Sequence, residues 1–110
     1  MKTLTKGTSN FNRRDMINSK NGTSLQDLPD GTLIKAKKIG ILEDVDEDGQ
    51  AKIVAVIVAE DGEVYTSISP SIAESANETV DLIEDGEEAT LELKKRTSKG
   101  GREFLSFIIK

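Results

Sequence analysis

The sequence predicts a mainly β domain: a five-stranded Greek-key barrel with one helix between its third and fourth strands. Three observations predict it. Five short stretches have strand character and are separated by glycine turns, the period switches to helical after Ser69-Pro70, and the first strand changes parity partway along, as a strand turning a barrel corner must. A chain of 110 residues and 12.0 kDa is one domain's worth.

Residues 1–24 are rich in Ser, Thr, Asn and Gly and carry a net charge of +4, against -9 for the remainder. They read as a basic, weakly structured arm, with a solvated leader or an extra edge strand as alternatives, and 25–110 as the barrel. Leu28-Pro29-Asp30-Gly31-Thr32 is a turn, because proline presets one dihedral and glycine accepts a positive one. The strand that follows, Leu33 to Leu42, places apolar residues on one parity and then the other. This predicts a bulge near Lys37-Lys38 and a bend at Gly40. Glu43 to Gln50 is an acidic loop, and Ala51 to Ala59 is an apolar β-branched run buried on both faces. Asp61-Gly62 is a hairpin signal leading into Val64 to Ile68, whose alternation sets Tyr65 opposite the apolar Val64, Thr66 and Ile68.

The helix is expected over residues 70–84, started by Ser69-Pro70 or by a Ser71/Glu74 capping box and ended by Asp85-Gly86. Its apolar face of Ile72, Ala73, Ala76, Val80 and Ile83 should plug one end of the barrel. Ala89 to Thr97 alternates, Ser98 to Gly101 turns, and Arg102 to Ile109 returns as the last strand. This is the element order of the OB-fold.

With no Cys and no His, the chain has no thiol nucleophile, Ser-His-Asp triad, Cys/His zinc site or disulfide. The carboxylates around the helix end single out no acid and base, and no phosphate-binding glycine loop occurs, so no enzyme, cofactor or small-molecule substrate is expected. Asp44 to Gly49 matches the start of a calcium loop, but Ala55 stands where the bidentate Glu belongs, and no metal is expected. No apolar run reaches membrane-spanning length and MKTLTKGTSN lacks a signal-peptide core, so the expectation is a soluble protein without membrane contact.

Most of the basic residues outside the arm fall in two groups: Lys35, Lys37 and Lys38 on the first strand, then Lys94, Lys95, Arg96, Lys99 and Arg102 about the final hairpin. The first and fourth strands of an OB-fold are neighbours, so both groups can line one groove with Tyr65 and Phe104. Cations that follow phosphates and rings that stack on bases suit a single-stranded nucleic acid of any sequence. Phe104 and Phe107 have opposite parity, so one of them belongs to the core. The candidate site is Lys35, Lys37, Lys94, Arg96, Lys99 and Arg102 for phosphates, with Tyr65 and Phe104 for bases.

Several stretches also resemble one family: Leu28-Pro29-Asp30-Gly31-Thr32, Ala59-Glu60-Asp61-Gly62, Val64 to Ser69, Ile72-Ala73-Glu74, Val80 to Ile83, and Ser98-Lys99-Gly100 with Phe104 and Ser106. In this succession they resemble the single-stranded DNA-binding proteins of small Bacillus phages that replicate linear genomes by protein priming. The resemblance implies an OB-like fold, coating of displaced strands with self-association along them, a role for Tyr65, and a bacterial host's cytoplasm. Where that family has further tyrosines this chain has Leu42 and the acidic stretch after it, so stacking there is lost. The rival expectation is an acidic DNA mimic that binds a replication or defence protein.

Overall fold

The computed structural model describes residues 2–110. Its strands are β1 (Lys2–Gly7), β2 (Thr23–Ser24), β3 (Leu33–Val45), β4 (Ala51–Ala59), β5 (Val64–Ser67), β6 (Ala89–Thr97) and β7 (Glu103–Ile109); its helices are α1 (Arg13–Asn18) and α2 (Pro70–Glu84). The strands form one curled sheet in the order β2-β5-β4-β3-β6-β7, with β1 also paired to β3. The mainly β class and the helix between β5 and β6 match expectation. Five strands become seven, because β1 and β2 arise from the segment read as a weakly structured arm.

That segment takes the edge-strand alternative. β1 runs antiparallel to the far half of β3, and Thr8 extends the pairing through its N–H to the Ile39 carbonyl at 2.8 Å. Asn12 then caps α1 in a capping box with Asp15, whose carboxylate also meets Lys38 Nζ at 3.2 Å. Phe11 is buried beside Leu42, Val56 and Val58, with Met16 and Val64 packed around them. Gly40 makes this possible by close approach: a Cβ there would lie 2.5 Å from the Phe11 ring.

The bulge falls where expected, as a register shift between Ala36 and Lys38. It lets β3 pair with β6 over Leu33 to Ala36 and with β1 beyond Gly40, on the edge opposite β4. The Pro29 to Thr32 turn has Gly31 at φ +87° and docks on β6 through the Gly31 N–H to the Leu93 carbonyl at 2.7 Å.

Burial on both faces of β4 gives the sheet two cores. The larger joins Ile34, Ile57, Leu91, Leu93 and Phe107 to Ile72, Ala76 and Val80 of α2, which fills the concave side. The smaller lies on the convex side under residues 11–16. α2 has Pro70 at its first turn, and Ser69 makes no side-chain cap. It ends where the Gly86 N–H reaches the Ile83 carbonyl at 2.9 Å.

Candidate nucleic-acid interface

Alternation along β6 and β7 sorts the hairpin into two faces. Leu91, Leu93 and Phe107 point into the large core, so Glu92, Lys94, Arg96, Phe104, Ser106 and Ile108 stand on the convex face. Arg96 lies across from Phe104 and Lys94 across from Ser106, and Arg96 Nε donates to Ser106 Oγ at 3.2 Å. Lys35 lies across from Thr90 on the adjoining β3, with Leu33 across from Glu92. The structure thus brings Lys35, Lys94, Arg96 and Phe104 onto one face. Phe107 is the buried member of the phenylalanine pair, and Phe104 is half-buried.

The other candidates lie around this face. Lys99 is in the β6–β7 turn and Arg102 closes it, both exposed. Lys37 is exposed in the bulge, beyond the end of the β3–β6 pairing. Lys38 is held by Asp15, and Lys95 Nζ donates to the Gln26 carbonyl at 3.0 Å.

Tyr65 lies opposite Val64, as its alternation sets, but on the side away from Phe104 rather than in one groove with it. It pairs with Ile57 and packs against the large core, on the concave face. Val64 packs on the other side, under the N-terminal segment. Tyr65 and Phe104 therefore stand on opposite faces, and Lys35 links them: it lines a cavity of about 370 Å³ together with Tyr65, Leu33, Ile34, Glu60 and Asp61. Burial raises the Tyr65 phenol above its usual range, and the nearby Asp61 and Glu63 carboxylates add to the effect.

Sequence reasoning missed Glu92, which grips the cationic face. Its carboxylate meets Lys94 Nζ and Lys110 Nζ, each at 2.7 Å. These hydrogen bonds, Lys110's first, hold its pKa down at about 2, and the same carboxylate raises that of Lys94. The signal was available, since Glu92 and Lys94 share a parity on one strand. The acidic loop has a structural use: Asp46 Oδ1 accepts from the Asp48 N–H at 3.0 Å and the Gln50 N–H at 2.9 Å, bracing the turn.

A small curled β-sheet protein with cations and a ring aligned on one open face has the chemistry to hold a flexible polyanion along its surface. The phage single-stranded DNA-binding protein family matches residues 6–110, and the chain belongs to that family. It is 36% identical over 90 residues to the single-stranded DNA-binding protein of Bacillus phage phi29, covering 77% of this chain and 73% of that protein. With the single-stranded DNA-binding protein of Bacillus phage B103 the identity is 35% over 106 residues, covering 88% and 85%. No solved structure matches the chain.

Proposed function

We propose that this protein is a non-catalytic, sequence-tolerant single-stranded DNA-binding protein that coats and protects displaced strands during phage or mobile-element DNA replication in the cytoplasm of a bacterial host. The observation that carries this reading is the convex face on which Lys35, Lys94, Arg96 and Phe104 stand together, in a chain of this family. Lys35, Lys37, Lys94, Arg96, Lys99 and Arg102 contact phosphates, while Tyr65 and Phe104 stack on bases. Because the two rings are on opposite faces, the strand passes from the Tyr65 cavity over Lys35 and along β6–β7 to the hairpin tip.

We read β3 to β7 with α2 as an OB-like half-barrel to which β1, α1 and β2 are added, since the strand order β5-β4-β3-β6-β7 follows that scheme. Bound copies associate along the strand. The excess of carboxylates is compatible with this function, because acids away from the basic face disfavour duplex and keep an abundant protein soluble. No helix among the described residues is long and apolar enough to cross a membrane.

A gel shift with labelled poly-dT and a matching duplex at low salt tests the reading. Retardation of the single strand alone supports it. Retardation of neither at micromolar protein overturns it in favour of the DNA-mimic alternative.

A further inference from the structure

The cavity at Tyr65 has an uneven wall. Tyr65 supplies aromatic surface, Leu33 and Ile34 supply apolar surface, and Lys35 supplies a cation. The rest of the wall includes Glu60 and Asp61, which are exposed. A phosphate gains nothing from two carboxylates, so they are misplaced in a site that only tracks the backbone. They are well placed against the edge of a base stacked on Tyr65, because carboxylates accept hydrogen bonds from base amino groups.

The fold fixes the main chain of Glu60 and the carboxylate of Asp61. The Glu60 N–H donates to the Lys35 carbonyl at 2.9 Å, tying the start of the β4–β5 turn to β3. Asp61 Oδ1 accepts from the Glu63 N–H at 2.9 Å, which leaves its second oxygen for a ligand. Asp61 and Tyr65 line the same cavity, and the Asp61 carboxylate adds to the rise that burial imposes on the Tyr65 phenol.

We propose that Glu60 and Asp61 make this cavity select an amino-bearing base over thymine, within the single-stranded DNA-binding reading on which the inference rests. Cytosine and adenine each present an exocyclic amino group with two N–H donors, and guanine presents adjacent N1–H and N2–H donors. Thymine offers one N–H flanked by two carbonyl oxygens, which face the carboxylates unfavourably. The protein remains sequence-tolerant along the rest of its track and acquires a preference at one position.

The test compares oligo-dC with oligo-dU of one site's length, since the two pyrimidines differ only at the 3,4 edge. Binding is measured by fluorescence anisotropy for the full chain and for Glu60→Gln, Asp61→Asn and the double variant, with a melting curve for each. Asp61→Asn keeps the oxygen that accepts from Glu63, so the hairpin is preserved. The expected result is a preference for dC of about fivefold or more in the unmodified protein, falling towards one in the double variant. Equal affinity for dC and dU in the unmodified protein, or a preference that persists in a folded double variant, overturns the inference while leaving single-strand binding intact. Failure to bind either oligonucleotide instead removes the reading beneath it.

Discussion

Phe11→Ala tests whether residues 2–22 are part of the folded body. Phe11 is 6% exposed and sits on Gly40 among Leu42, Val56 and Val58. Truncating a buried phenylalanine costs about 3 to 5 kcal/mol, and the lower end applies here because one wall is a chain segment that can settle into the gap. With a urea dependence of about 1 to 1.5 kcal/mol per molar, the unfolding midpoint should fall by roughly 2 M or more. Gly40→Ala alone should cost about 1 to 3 kcal/mol, because the new methyl collides with the ring. Placed on Phe11→Ala, the same substitution meets vacated space and most of its cost should disappear, giving a coupling of about 1 kcal/mol or more in a double-mutant cycle. Additive effects, or a Phe11→Ala midpoint within about 0.3 M of the parent, would refute the docked geometry.

Other expectations concern the binding face and the N-terminus. Tyr65→Ala should weaken single-strand binding by about 1 to 3 kcal/mol, measured by titration with a site-length oligonucleotide; unchanged affinity in a folded variant assigns Tyr65 to packing alone. If about four to six phosphates are neutralised, log K against log salt should slope roughly -3 to -4, and a flat plot removes the phosphate track. Glu92 titrates at about 2 when folded, against an ordinary value of 4.5. Its ion pairs therefore contribute stability fully above pH 4.5 and lose it as pH falls towards 2, and thermal melts of Glu92→Gln should lack that part of the acid dependence. The same variant frees Lys94 and Lys110, so its salt slope should steepen by about 1. Deleting residues 1–14 should lower the melting temperature, because the deletion removes β1, Phe11 and the Lys6–Asp81 ion pair at 3.0 Å; an unchanged melt contradicts this.

The central elements were legible because local signals agreed. Ala51 to Ala59 and Ala89 to Thr97 carry strand residues bounded by turn chemistry, and residues 70–84 combine Ser69-Pro70 with helical spacing; all three elements have the expected bounds. β1 was legible only as an edge-strand alternative because KTLTKG holds one large apolar residue, Leu4, itself 38% exposed; the strand is held by main-chain pairing to β3. The anchor beside it depends on Phe11 meeting Gly40 across a long stretch of sequence, which no local pattern encodes. The side on which Tyr65 lies was hidden for another reason. Both faces of β4 are apolar and buried, so alternation in β5 fixed two faces without saying which belonged to the larger core. For the site, clustering of cations was readable, and so was the shared parity of Glu92 and Lys94 on one strand, but Glu92's hold on Lys110 depends on cross-strand register.

β7 closes the strand order, and no strand among the described residues pairs with its far edge. Its sequence from residue 104, Phe-Leu-Ser-Phe-Ile-Ile, has four phenylalanines and isoleucines of high β-propensity among six consecutive residues without charge or proline. Such a segment on an open edge is a template for amyloid-like stacking between chains. Arg102 and Glu103 before it and Lys110 after it act as gatekeepers, placing charge at both ends of the segment where a second copy would have to align. Substituting those three residues would therefore carry a penalty in solubility during expression and refolding, separate from any effect on ligand affinity.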